Sequence, residues 1–210
     1  SWQLVYSYFR IWSRSGFIER IHNILRDRLR KSVERNKSPS TAIIDSQSAK
    51  KTEQGGSRGY DAGKKINGRK RHIIVDCLGL ILALNIHPAS IQDRDGAKET
   101  LLKIKGLYPL LNLIWADRGY PGELIEWVNE HFDIKFEIVK RGDDVKGFEM
   151  LPWRWILEGT LAWISRNRRM SKDYERLPKT TESWIYLAMT SLMLKRLEKI
   201  QENKIPQIAA

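Results

Sequence analysis

Five short apolar runs, each the length of a strand, limit the fold of this chain more than any other feature: TAIID (41–45), HIIVDCL (72–78), LILALNI (80–86), LNLIWAD (111–117) and IKFEIVK (134–140). Leu78-Gly79-Leu80 leaves room only for a tight antiparallel turn between the second and third runs. The later runs are separated and followed by stretches of helical period at 95–105, 122–132, about 154–169 and 181–200. Strands first and helices later predict an α/β fold, a mixed five-stranded sheet with helices on its faces. The uncharged run 184–194 has eleven residues, too short for the ~20 of a membrane span, and reads as a buried helix.

Before residue 40 the period is helical throughout. Trp2, Val5, Tyr8, Phe9 and Trp12 share one face, Ser15-Gly16 breaks the pattern, and Phe17, Ile21, Leu25, Leu29 and Val33 resume it. A helical hairpin over 1–40 is expected, then a linker at NKSPS (36–40), a main domain over 41–200 and a tail over 201–210. The sequence opens SWQLVYSYFR, without Met or an export signal, so missing N-terminal sequence is expected. A single cysteine, Cys77, forms no internal disulfide and builds no cysteine zinc site, which points to a cytoplasmic protein.

Two acids end strands in parallel fashion: Asp45 after Ala42-Ile43-Ile44, and Asp117 after Leu113-Ile114-Trp115-Ala116. Either alone commonly starts a turn; the pair suggests carboxylates projecting from one sheet. Magnesium prefers oxygen ligands, so two ions call for a third acid. Glu158 is the candidate, in PWRWILEGTLAWISRNRR on a helix begun by Pro152, although it could equally form a surface pair with Arg154 at i, i+4. Asp143, Asp144 and Glu149 are fallback ligands in the preceding loop.

TAIIDSQSAK, GGSRGYDAGKKINGRKRHIIVDCLGLILAL, HPASIQDRDGA, IWADRGYPG and RWILEGTLAWISRNRRMSKDYE together closely resemble the DDE transposases of the bacterial group that contains insertion sequences four and five. The blocks keep the family's order and cover essentially the whole chain. The resemblance implies a ribonuclease-H-like fold, with Asp45, Asp117 and Glu158 as the catalytic, metal-holding triad. It implies two Mg²⁺ ions, with Mn²⁺ as a substitute, cleavage of DNA at element ends and strand transfer to target DNA. It also implies that residues 1–40 are the remainder of an N-terminal DNA-binding region. A homodimer assembled on DNA, in the bacterial cytoplasm with the nucleoid, is the expected setting. Of the family's Tyr-x2-Arg-x3-Glu-x6-Lys pattern, Arg154 and Glu158 are kept, while Leu151, Ser165 and Gly159 depart from related sequences. A decayed copy that binds DNA without cutting it is therefore the alternative.

The formal net charge of +12 fits a polyanionic partner. Lys50, Arg58, Lys64, Lys65, Arg69, Lys70 and Arg71 lie in a glycine-rich stretch that can approach a phosphate chain closely, and Arg118, Arg154, Arg166 and Arg169 are further candidates for DNA contact. A phosphate-binding P-loop is excluded, because Gly63-Lys64 would need Gly and Ser or Thr where Arg58 and Lys65 stand. Asp93-Arg94-Asp95-Gly96 reads as a helix cap, since Ile104 stands where a calcium loop needs its closing Glu. His72 and His87 read as core or surface residues, with no histidine partner at ligand spacing.

Overall fold

The structure, a computed structural model, describes residues 1–117, 119–120, 122–139 and 152–204. Its centre is a mixed six-stranded sheet: β1 (Thr41–Lys50), β2 (Gly59–Asp61), β3 (Ile66–Asp76), β4 (Ile81–Pro88), β5 (Leu113–Ala116) and β6 (Lys135–Ile138). β3 pairs antiparallel with β1 on one side and with β2 and β4 on the other. β1, β5 and β6 run parallel. An antiparallel meander joined through its first strand to a parallel pair is the arrangement of a ribonuclease-H-like fold. The sixth strand is the three-residue β2, too short and polar to show in the apolar pattern.

The two expected hairpin strands are found and their turn is as tight as the sequence demands. Gly79 takes a left-handed φ of +73°, and Asp76 Oδ1 accepts the backbone N–H groups of both Leu78 and Leu80 at 2.9 Å. β1 and β3 both run further than their apolar runs. The extra length is Ser46–Lys50 facing Gly68–His72, where most polar side chains find partners inside the protein and no apolar signal marks the strand.

Helices cover both faces. α3 (Asp93–Leu102) and α4 (Gly122–His131) lie over one core, in which Ala97, Leu101, Leu124 and Val128 meet Ala42, Ile44, Ile74, Ile114 and Ala116. α5 (Pro152–Ser165) and α6 (Pro178–Lys204) lie over the other, where Leu157, Leu161, Ile164, Ile185 and Met189 meet Ile43, Ile73 and Val75. Each fully buried aliphatic contributes ~1.5–3 kcal/mol relative to exposure, so the two cores dominate the folding energy. The run 184–194 is indeed within a buried helix: Ile185, Tyr186, Met189 and Met193 are all buried.

The N-terminal hairpin, α1 (Trp2–Arg14) and α2 (Phe17–Ser32), turns at Gly16, whose φ is +70°. α2 is built into the main body. Ile18 joins the α5–α6 core, Leu29 packs with Met193 and Leu197, and the buried Arg30 is ion-paired to the buried Asp76. Arg26 donates to the Ile81 carbonyl at 3.3 Å and the Tyr108 hydroxyl at 2.8 Å. Two of the hairpin's cations are thus structural, while the outer face of α1, with Trp2, Val5 and Tyr8, is exposed.

Candidate active site

The register of β1 and β5 sets the site. Ile44 stands opposite Ala116 in a parallel ladder, so the next residues along the two strands are Asp45 and Asp117. Alternation puts both acids on the side of Ile43 and Trp115, the side covered by α5 and α6. Asp45 is half-buried, whereas Asp117 is exposed. Asp45 Oδ1 accepts the Ser46 N–H at 2.6 Å, and Asp117 Oδ1 accepts the Gly119 N–H at 2.8 Å. Burial first, and then the neighbouring charges of Asp117 and Asp93, raise the Asp45 carboxyl to about 6, against the pull of the Ser46 N–H and the Lys64 ammonium.

Asp93, expected to cap a helix, has a different place. Gln92 is the N-cap, and Asp93 in the first turn of α3 accepts from Ser46 Oγ at 2.6 Å and from Lys70 Nζ at 2.9 Å. These donors, with Lys70's charge, hold its carboxyl below the usual range despite burial. Sequence reasoning missed this third acid near the pair because its partners lie 47 and 23 residues back along the chain. His72 and His87 are also paired in space, with His72 Nδ1 3.2 Å from His87 Nε2 across the β3–β4 ladder. A spacing rule for metal ligands along the chain does not detect such a cross-strand pair.

Glu158 lies on α5, exposed, on the helix layer that covers the same sheet face as Asp45 and Asp117. Among the described residues, no group of three His, Cys, Asp or Glu side chains is gathered closely enough to hold a metal ion. The structure therefore brings Asp45 and Asp117 together and places Glu158 on the facing layer. Arg118, Asp143, Asp144, Glu149, Leu151 and the side chain of Arg154 lie outside the described residues.

The basic stretch divides in two. Lys50, Arg58, Lys64 and Lys65 are exposed, and Lys64 Nζ reaches the Ser46 carbonyl at 3.3 Å, beside Asp45. Arg69, Lys70 and Arg71 are buried and occupied internally. Arg69 pairs with Asp173 at 3.2 Å and donates to the Ser57, Glu175 and Arg176 carbonyls, Lys70 holds Asp93, and Arg71 donates to the Met170 carbonyl and Gln47. Their charge organises the first half of β3 and presents little surface to a DNA backbone. Arg166 is exposed; Arg169 pairs with Glu175 at 2.6 Å and lies over the Trp184 ring.

β1 continues to Lys50, so Asp45 lies midway along its strand and does not end it as the apolar run suggests, while Asp117 follows the last residue of β5. Two oxygen-donor carboxylates on adjacent strands, one made less acidic by burial and then by its neighbour, suit a hard divalent cation, which supplies the positive charge that a proton otherwise supplies. A soft or imidazole-preferring metal finds no thiolate here, and both neighbouring imidazoles are occupied by hydrogen bonds.

These features define an α/β domain of the ribonuclease-H-like class, in which Asp45, midway along β1, lies beside Asp117, just past the end of β5. A family model described as transposase DDE domain matches residues 36–193, and the chain belongs to that family. Over 116 residues it is 31% identical to a Burkholderia cepacia protein described as a candidate transposase for insertion sequence element IS402. The match covers 52% of this chain and 54% of that protein, so it spans about half the length of the relative. No helix among the described residues is long and apolar enough to cross a membrane.

Proposed function

We propose that this chain is the catalytic part of an insertion-sequence transposase, of the group containing insertion sequences four and five, that cuts DNA at element ends and joins the freed 3′-hydroxyl to target DNA. The observation that carries the reading is the β1–β5 register, which sets Asp45, within β1, beside Asp117, at the end of β5, on a ribonuclease-H-like sheet.

In this reading Asp45, Asp117 and Glu158 hold two Mg²⁺ ions, or Mn²⁺ in their place. The ions supply Lewis acidity and neutralise charge on the scissile phosphate. Asp45 would be the ligand common to both ions, and Asp117 and Glu158 would each complete the set of one. Glu158, exposed on the helix layer over the same sheet face, would supply the third carboxylate. Lys64, beside Asp45, neutralises a flanking phosphate. Lys50, Arg58, Lys65 and Arg166 on the surface hold the backbone on either side. A homodimer pairs two element ends, and the protein works in the cytoplasm with the nucleoid.

Matched element-end duplexes test the reading. The chain, supplied with any N-terminal region its gene encodes, should nick them in Mn²⁺ or Mg²⁺ but not in Ca²⁺. Asp45→Asn, Asp117→Asn and Glu158→Gln should each abolish cleavage and leave DNA affinity in place, and cleavage that survives Asp45→Asn would overturn the assignment. A second reading, a copy that binds but does not cut, is favoured by Gly159 and Leu151, where the related sequences usually carry Arg and Tyr. That reading holds if the unmodified chain cuts nothing in Mn²⁺ while Gly159→Arg, restoring the family's usual residue, cuts.

A further inference from the structure

Asp117 is exposed, and so is Gly119 after it, so side-chain packing around the acid does not fix where its carboxylate sits. The turn that begins at Asp117 is fastened at its other end. Tyr120 is 1% exposed, its ring lies in the α3–α4 core, and its backbone N–H reaches back to the Asp117 carbonyl at 3.4 Å. Its hydroxyl is 2.8 Å from His72 Nε2. From there the contacts continue: His72 Nδ1 to His87 Nε2 at 3.2 Å, and His87 Nδ1 to the Pro88 carbonyl at 3.0 Å.

The carbonyl decides every hydrogen in this chain. A carbonyl oxygen only accepts, so His87 Nδ1 carries the proton and its Nε2 is the acceptor. His72 Nδ1 must then donate, which leaves His72 Nε2 as an acceptor, and Tyr120 donates to it. Both imidazoles are neutral in this scheme, in accord with burial that pushes His72 down to about 3 and lowers His87 as well. Tyr120 keeps its proton, since burial and then the charges of Asp45, Asp93 and Asp117 push its phenol far above the ordinary value. The three hydrogen bonds point one way, from the turn of Asp117 into the sheet.

The network is sealed from above by α3. A Cβ on Gly96 would lie 2.3 Å from His87 Nε2 and 2.8 Å from His72 Nδ1, so the helix can close over the pair only with glycine at that position. The same helix carries Asp93, which takes the Ser46 hydroxyl, and Ser46 is the residue whose N–H holds Asp45. Both acids are thereby tied, through an adjacent residue or turn, to one dry polar cluster on the opposite face of the sheet. Leucine and phenylalanine would fill this space without any need for hydrogen-bond partners. Two imidazoles and a phenol do more than fill it, because hydrogen bonds in a dry site hold direction.

We propose that Tyr120 is the positioning residue of the site: anchored by His72 and His87, it fixes the turn that sets the Asp117 carboxylate beside Asp45. The proposal rests on the reading of Asp45 and Asp117 as cation ligands. Its consequence is that breaking the anchor weakens divalent-cation binding even when the fold and both acids are intact.

The test is direct Mn²⁺ binding to the full chain without DNA, followed by electron paramagnetic resonance of the free ion, with thermal unfolding as a check on folding. Tyr120→Phe and His72→Leu should each weaken Mn²⁺ binding by ~10-fold. His72→Gln should restore it, because a side-chain amide can accept from Tyr120 and donate to His87. The Tyr120→Phe/His72→Leu pair should be no weaker than Tyr120→Phe alone, as expected for one shared interaction. A folded Tyr120→Phe with unchanged affinity overturns the anchor, as does a His72→Gln as weak as His72→Leu. If Tyr120→Phe does not fold, the two His72 variants decide, since they leave the tyrosine ring in place. Asp45→Asn separates the levels: if it binds Mn²⁺ as tightly as the unmodified chain, the cation site itself is wrong. If it loses binding while Tyr120→Phe keeps it, only the anchor fails.

Discussion

Asp45→Asn should stabilise the protein near neutral pH. The folded chain raises the Asp45 carboxyl from the ordinary 3.8 to about 6, mainly by burying it and secondarily by setting Asp117 and Asp93 nearby. At pH 5 the unfolded chain has released this proton and the folded chain still holds it. The unfolded state then binds fewer protons, so this group makes stability fall as pH rises from about 4 to about 6 and adds nothing further above that. At 1.36 kcal/mol per pKa unit the full cost of ionising Asp45 in place is about 3 kcal/mol. Asparagine keeps an oxygen for the Ser46 N–H and carries no charge, so the variant escapes most of that cost. For a chain of this size each kcal/mol moves the unfolding midpoint by about 2–4 °C. Thermal unfolding followed by circular dichroism should place Asp45→Asn about 5–10 °C above the unmodified chain at pH 7.5 in chelator, with the gap closing by pH 4. Excess Mg²⁺ or Mn²⁺ should lift only the unmodified chain, by about 2.7 kcal/mol at a hundredfold excess over its dissociation constant. A variant no more stable than the parent at pH 7.5, or a gap that persists at pH 4, would refute the argument that burial and the nearby acids make the ionised Asp45 costly.

DNA binding should weaken steeply with salt: six phosphate contacts give a slope of about −5 in log affinity against log salt, and a flat response would mean that the exposed cations only solubilise. Arg69→Ala should destabilise the fold by about 3–5 kcal/mol in denaturant titrations because it strands the buried Asp173, whereas Arg58→Ala should stay within about 0.5 kcal/mol and lower DNA affinity instead. A stable Arg69→Ala protein would contradict the internal role assigned to that cation. Gly159→Ala should stabilise by about 1 kcal/mol, since among the described residues a methyl there meets only the Trp163 ring, at 3.9 Å, and the helix gains propensity; a loss would show that α5 needs the glycine.

Much of the architecture was legible because apolar side chains write strands and helices into the sequence wherever one face is buried. The hairpin at Gly79, the strands that deliver Asp45 and Asp117, and the buried helix over 184–194 all have that signature. What the pattern does not show are the elements whose interiors are polar. The second half of β1 and the first half of β3 carry no apolar pattern and the latter reads as part of a glycine-rich basic loop, yet Arg69, Lys70 and Arg71 lie inside, held by Asp173, Asp93 and backbone carbonyls. Charge counts do not separate a cation facing solvent from one facing a buried carboxylate; that depends on partners a hundred residues away. Asp93 and the His72–His87 pair escaped for the same reason.

β1 shows how one strand can serve two environments. Ile43, Asp45 and Gln47 point toward α5 and α6, where an acid is useful because it is half open to solvent and neighbours Asp117. Ile44, Ser46 and Ser48 point toward α3, where Ser46 meets Asp93, and Ser48 meets Asp61 at 2.5 Å. Strand period is two, so a register slip of one residue would send Asp45 into the core beside His72 and put Ser46 next to Asp117. That error would bury a charge and unpair a serine together. The pairing that places the acids is therefore enforced by the polar cluster behind them as well as by Ile43 and Ile44. Gly68 tightens the constraint: a Cβ there would fall 1.9 Å from the Ala49 carbonyl oxygen, so β1 and β3 approach closely only in the register that keeps glycine opposite Lys50.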